Sequence, residues 1–414
     1  MVRIAILGLG NRGRRYAYQL KRCPNAEITA VCEKKPEHLE GARLYLDLPP
    51  QNAFLSDAEF FSRGKLADAI VIATQDRDHY GHAVAALNAG YHVLLEKPVS
   101  PALSECEEIA ALARKKNLAV VVCHVLRYSP FYNEIKRTID SGAIGDIVSV
   151  NDTENVGYWH FSHSYVRGNW RREDETGPSI LAKCCHDLDI IYYFTGQKCA
   201  EVFSSGSRKL FLPRNMPDGA ADYCLAPCPR AKTCPYDVKK IYLAPTLHTL
   251  PRMGAHIRLI TGLAKPKPKD LKEALKTSPY GRCVYKCDND VMENQNVALR
   301  LENGINANLT MTAFSRGCFR RLHISGTKGE IIGIDGKSKF KINVFGGASK
   351  TVRVRWGGFS GHFGGDRMLI RDFVEFLETG KVTERLSLID TTLESHRAAF
   401  AAEESRKTGK AVSL

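Results

Sequence analysis

Two clusters of residues have the types and spacing to do chemistry: Gly8-Leu9-Gly10-Asn11-Arg12-Gly13 near the start and Glu96-Lys97-Pro98 later in the chain. The first has the glycine spacing of a pyrophosphate cradle. Gly8 permits a tight turn, Gly10 lets the backbone approach a pyrophosphate, and Gly13 lets a helix pack closely on a strand. The free amides and partial positive charge of a helix starting at Asn11 and Arg12 suit phosphate. Alone the motif is weak. Here it follows the apolar run Val2 to Leu7 and opens a helical stretch, which is the context it requires.

Glu33 closes the next apolar run, 20 residues beyond Gly13. A carboxylate there accepts the adenosine ribose hydroxyls and repels a 2′-phosphate, which favours NAD. Lys34, Lys35 and Arg12 lie near enough in sequence to hold that phosphate instead, so NADP stays open. Glu96-Lys97-Pro98 ends a later strand, at the carboxyl edge where an open parallel sheet holds its ligand. Oxidising an alcohol needs a group that takes the hydroxyl proton as hydride leaves, and Lys97 is the candidate.

Several further motifs resemble the Gfo/Idh/MocA oxidoreductase family. They are Thr74 with His79, Gly90-Tyr91-His92-Val93 leading to Glu96-Lys97-Pro98, Arg127-Tyr128, Ser141 to Gly145, and His186-Asp187-Leu188-Asp189. The similarity covers about the first 200 residues. It implies a Rossmann domain followed by an α/β domain on an open, mostly antiparallel sheet, and NAD(P)-dependent chemistry on a sugar, polyol or related hydroxy compound. By this resemblance Lys97 is the catalytic lysine, Glu96 touches the nicotinamide ribose and His186 faces the reacting hydroxyl. Thr74, His79, Arg127 and Lys97 itself join the expected cofactor contacts, and Asp189 the substrate contacts. The family's sheet also implies a homodimer or homotetramer.

One position departs from the family pattern. Many members carry an aspartate four residues before the histidine, where this chain has Ala182 followed by Lys183. Lys183 and His186 lie on adjacent helical turns, so Lys183 either enters the same pocket or serves as a structural cation. Tyr158 to Arg172 gathers Tyr158, His160, His163, Arg167, Trp170 and Arg171. Aromatic faces stack on sugar rings and arginine forks bind anions, with internal packing as the alternative. His362, in the run Gly361 to Asp366, is one more candidate for the pocket.

Of the 13 cysteines, Cys224, Cys228, Cys234, Cys283 and Cys287 cluster. Cys224, Cys228 and Cys234 with Cys287, or Cys283 in its place, are expected to hold zinc or an iron–sulfur cluster; buried thiols are the alternative.

The elements that must position these groups alternate strand and helix up to about residue 125, the pattern of a doubly wound parallel sheet. Residues 126–414 read as a substrate and oligomerisation domain. They carry a helix over Ser179 to Thr195, an antiparallel meander from about 291 to 354, a last helix over Asp366 to Glu378, and a cysteine-rich insertion of little regular pattern at about 212–290. At 414 residues, two domains are expected. The net charge of +14 is scattered, which fits a solvated surface or an anionic substrate better than nucleic acid. No apolar run is long enough for a membrane span, and the first strand starts at once; a cytoplasmic protein is expected. The expected activity is hydride transfer between a carbohydrate hydroxyl and nicotinamide. Two alternatives stand beside it: redox-neutral glycoside hydrolysis through transient oxidation, and a non-catalytic dinucleotide sensor.

Overall fold

The computed structural model describes the chain except residues 245–249, 264 and 355–361, and except the side chains of 250–253. The first sheet is parallel, with strands β1 (Val2–Leu7), β2 (Ala26–Cys32), β3 (Ala53–Phe54), β4 (Ala69–Ile72), β5 (His92–Leu95) and β6 (Val120–Val122). Their order is β3-β2-β1-β4-β5-β6. The near-continuous apolar runs are explained by burial on both faces. Val2, Ile4 and Ile6 enter one core, Ala5 and Leu7 the other. The faces are covered by α1 (Asn11–Leu20), α2 (Pro36–Leu46), α3 (Asp57–Ser62), α4 (His79–Asn88) and α5 (Leu103–Lys116). Strand order reverses between β1 and β4, so a crevice opens above their carboxyl ends, where such sheets take ligands.

After α6 (Pro130–Asp140), β7 (Ile147–Asn155) starts a second sheet. The short helices α7 (Tyr158–Phe161) and α8 (Glu173–Thr176) precede α9 (Ser179–Thr195), which lies on its buried face. The remaining strands are β8 (Cys199–Ser207), β9 (Asn294–Leu301), β10 (Asn306–Thr312), β11 (Phe319–Gly326), β12 (Gly329–Ile334), β13 (Lys339–Val344), β14 (Ser349–Arg353) and β15 (Val412–Ser413). Their order is β14-β13-β12-β11-β7-β10-β9-β8-β15. Neighbours are antiparallel except β7 and β10, which run parallel in the middle of the sheet. The opposite face is polar: Asn151 bonds Asn308, Thr310 bonds Asn296, and His323 bonds Glu330.

The 212–290 insertion is more regular than its composition suggests. It holds α10 (Leu250–Thr261) and α11 (Pro268–Ala274) around a small core of Val238, Ile241, Tyr242, Ile260, Leu271 and Leu275. The chain then returns to the first sheet. Leu369, Ile370 and Phe373 of α12 (Gly365–Thr379) join the core beneath β1, and α13 (Ile389–Thr408) packs on α9 and α5. The helix over Asp366 to Glu378 is therefore not the last. No helix of the described residues is long and apolar enough to cross a membrane.

Candidate active site

The glycine turn is built for close approach. Gly8 has φ +90°, and a Cβ there would lie 2.6 Å from the Ala73 carbonyl oxygen. A Cβ on Gly13 would lie 1.8 Å from Gly8 O, so α1 can pack on β1 only with glycine. A Cβ on Gly10 would meet nothing within 4 Å, which leaves its outer face open above the turn. Glu33 sits at the end of β2 with one carboxylate oxygen accepting from Leu9 N at 2.7 Å and the other from Lys35 N at 3.0 Å. The turn, the start of α1 at Asn11 and the fixed carboxylate together fit a dinucleotide.

Arg12 is diverted from this crevice. Its guanidinium donates to Glu96 at 2.6 Å, to Tyr16 Oη at 2.5 Å and to Asp366 at 2.8 Å. Burial would raise the Glu96 proton affinity, but Arg12 and the hydroxyl of Tyr16 outweigh it, so Glu96 is held as a carboxylate. Arg12 thus acts on the site through Glu96 and ties α1 to α12. Thr74 Oγ1 meets His82 Nδ1 at 3.0 Å, and His79 Nδ1 meets the Pro98 carbonyl at 2.8 Å. His79 is fully buried and braces the turn that carries Lys97.

Lys97 Nζ donates to the backbone carbonyl of Ala182 at 2.8 Å, one helical turn before His186 on α9. Burial, then the Lys97 charge, then His124 push the His186 imidazole well below its ordinary value, so it is neutral near pH 7. Its Nδ1 is buried without a hydrogen-bond partner. The ring lies 5.5 Å from that of His124 and 5.9 Å from that of His362. His362 also sits 3.2 Å from Asp366, so of the residues singled out near the C-terminus it does reach this cleft. Gly361 lies outside the described residues.

Lys183 points elsewhere. Its ammonium pairs with buried Glu154 at 3.1 Å, in a network where Arg320 bridges Glu154 and Asp187. Lys183 is thus held by an acid of the second sheet. Arg127 and Asp189, expected on cofactor and substrate, are buried and bond each other at 2.7 and 2.6 Å. Each neutralises the other.

The segment from Tyr158 to Arg171 chiefly anchors the insertion. Arg167 is fully buried and donates to the carbonyls of Arg282 and Tyr236, both at 2.8 Å. His163 bonds Tyr242 Oη at 2.9 Å and stacks on Tyr280. Tyr158 packs edge-on to Tyr236, His160 stacks on His256, and Arg171 pairs with Asp288. Trp170 alone of this set meets the first sheet: its Nε1 donates to Asp76 at 2.9 Å.

Asp76 was not anticipated. It follows β4 at the same edge as Lys97 and is 4% exposed. Burial raises its proton affinity, opposed by His79 and Lys97. The signal in the sequence was its place two residues after Thr74, at a strand's carboxyl end.

The expected metal set does not assemble. Among the described residues no group of three or more His, Cys, Asp or Glu is spaced to hold an ion. Cys287 donates to the Cys283 carbonyl at 3.3 Å, and Cys224 is bonded by Arg167 at 3.6 Å. The thiols of Cys224, Cys228, Cys234 and Cys283 line one apolar pocket of the insertion, and burial pushes Cys234 and Cys283 up, so both stay as thiols.

Residues 2–124 match the model of the oxidoreductase family with an NAD-binding Rossmann fold, and residues 132–226 that of the GFO/IDH/MocA C-terminal domain. The chain belongs to the Gfo/Idh/MocA oxidoreductase family. It is 25% identical over 314 residues to the putative oxidoreductase YteT of Bacillus subtilis, a match covering 73% of this chain and 66% of that one. It is 23% identical over 197 residues to the 2,7-anhydro-N-acetylneuraminate hydratase of Escherichia coli, covering 48% of this chain and 50% of that one. The matches therefore span between half and two thirds of those relatives' lengths. The fold superposes on scyllo-inositol dehydrogenase from Lactobacillus casei, solved with NAD(H) and scyllo-inositol, with TM-score 0.67 and 18% identity over 100% of this chain and 99% of that one.

Proposed function

We propose that this member of the family oxidises a CH–OH group of a sugar, polyol or sugar acid, with NAD preferred as the hydride carrier. The observation that carries the reading is the bond from Lys97 Nζ to the Ala182 carbonyl, one turn before His186 on α9, with the Lys97 charge acting on a buried, neutral imidazole. Bound in the crevice, NAD supplies the hydride-accepting carbon. The chain supplies the proton chemistry. A neutral imidazole at 186 can take the hydroxyl proton as the C–H bond breaks, while the Nζ of Lys97 donates to the oxygen on which negative charge grows. Glu96, fixed as an acceptor by Arg12 and Tyr16, would hold the ribose next to the nicotinamide. Asp76, with its raised proton affinity, is a proton store beside Lys97.

The scyllo-inositol complex of a protein with this fold supports a polyol or ring sugar, and the net charge of +14 supports an anionic one. The open face of the second sheet, where Phe203 and Ile332 stand exposed, supports a homodimer or homotetramer. The test is a panel of polyols, aldoses and uronic acids assayed for reduced nicotinamide. Growth of that absorbance with at least one class supports net oxidation; a panel that yields none, in an enzyme that binds NAD, rejects it.

The hydratase among the relatives favours a second reading, in which oxidation is transient and the hydride returns after elimination. Product formed with no net nicotinamide reduction, and cofactor that co-purifies with the chain, would select it.

A further inference from the structure

The adenosine end of the crevice is bordered by a part of the chain outside both family matches, the α10 helix of the insertion. Ile260 seats α10 in the insertion's own core. Just past the helix, the Gly262 carbonyl is met by His38 Nε2 at 3.1 Å. His38 belongs to α2, a few residues after Glu33, so the insertion docks where the adenosine ribose would lie.

Arg258 lies one helical turn before this contact, its carbonyl accepting from Gly262 N at 2.9 Å, and its charge acts on Arg14 of α1. Arg14 Nε donates to the Gly10 carbonyl at 3.3 Å, which places its guanidinium at the glycine turn. Both arginines are partly buried. Among the described residues neither makes an ion pair with a carboxylate; Glu33, which acts on Arg14, is already taken by two backbone amides. Burial and the positive charge of Arg258 together lower the proton affinity of Arg14. Burial, followed by Arg14, likewise lowers that of His38. Two guanidiniums brought together out of bulk water repel, and guanidinium forks are the side chains best matched to phosphate oxygens.

We infer that the insertion completes the dinucleotide site, with Arg14 and Arg258 forming a two-armed cradle for a phosphate of the bound dinucleotide. This rests on the dinucleotide reading above. The phosphate is either the pyrophosphate at the glycine turn or a 2′-phosphate beside Glu33, and the two sources separate by experiment.

The test is calorimetric titration of the full chain with NAD, NADP and ADP-ribose at low salt, comparing wild type with Arg258→Gln and Arg14→Gln. The melting temperature of each unliganded variant checks the fold, and Arg258→Lys, which keeps charge without the fork, serves as a second variant at the helix. A loss of about tenfold for all three ligands assigns the cradle to the pyrophosphate. A loss of that size for NADP alone assigns it to the 2′-phosphate. Wild-type affinities for every ligand in all the variants would overturn the inference while leaving the proposed function intact. A wild-type chain that binds none of the three would overturn both.

Discussion

The side-chain nitrogen of Lys97 hydrogen-bonds the main-chain oxygen of Ala182 at 2.8 Å, and this contact helps join the edge of the first sheet to the helix that carries His186. The bond uses a backbone group, so it does not depend on the side chain at position 182. It fixes Lys97 without neutralising it. Lys97→Ala is predicted to lower turnover by roughly 10²-fold or more while leaving dinucleotide affinity within a few-fold. Steady-state kinetics beside calorimetry decides, and near-normal turnover would remove Lys97 from the chemistry.

Asp76 gives a pH signature. Its carboxyl is pushed up by burial, so it exchanges its proton above the ordinary carboxylate range. Asparagine at this position keeps an oxygen for Trp170 Nε1 but cannot titrate. Asp76→Asn is predicted to reduce kcat about tenfold and to erase the acidic limb of its pH profile, with KM for NAD little changed. A variant whose profile overlays the wild type would exclude the proton-store role.

Arg12 is a matter of stability as much as of binding. It is the shared partner of Glu96 and Asp366, both buried. Removing it leaves Glu96 without its cation and Asp366 with Arg15 at 3.5 Å and His362 at 3.2 Å, and breaking a buried pair costs about 3–5 kcal/mol. Arg12→Met is predicted to lose that much in urea unfolding and to bind NAD more weakly, because Glu96 no longer holds its place. Unchanged stability would mean that water replaces the guanidinium.

His124 predicts a change in the pH dependence of folding. It is fully buried, neither ring nitrogen has a hydrogen-bond partner, and burial followed by Arg127 drives its imidazole well below the ordinary value. The unfolded chain takes up this proton near pH 6.5 and the folded chain only at lower pH, so the unfolded state binds more protons between the two. The contribution is full above about pH 6.5 and is lost as pH falls. His124→Leu should be neutral or stabilising at pH 7, since it removes an unpaired buried polar ring. It should also flatten the decline below pH 6.5 by up to about 1.4 kcal/mol per pH unit. Denaturant titrations at pH 7 and 5.5 measure both, and a steeper decline in the variant would refute the assignment.

The first sheet was legible because parallel strands buried on both faces leave uninterrupted runs such as Val2 to Leu7, and glycine punctuation marks the turn between β1 and α1. The parallel β7–β10 pair was hidden, since alternation along a strand is the same whichever way its neighbour runs. The α13 helix escaped because its buried face is built of small residues, among them Ala398, Ala399, Ala401 and Ala402, which carry little apolar contrast. At the site, Lys97 was readable as a residue type at a strand's end, and His186, in the middle of α9, through the family resemblance of its motif. The diversion of Lys183, Arg12, Arg127 and Arg167 was not, because each is captured by a partner distant in sequence: Glu154, Asp366, Asp189 and Arg282. An arginine's type announces that it will find an anion or a carbonyl, but not whose.

The most direct measurement is a crystal structure of the chain with NAD. The account predicts nicotinamide carbon 4 facing both Lys97 Nζ and the His186 ring across a gap of about 6 Å, room for one carbinol unit. A nicotinamide turned away from these two groups, or a dinucleotide bound outside the β1–β4 crevice, would contradict it.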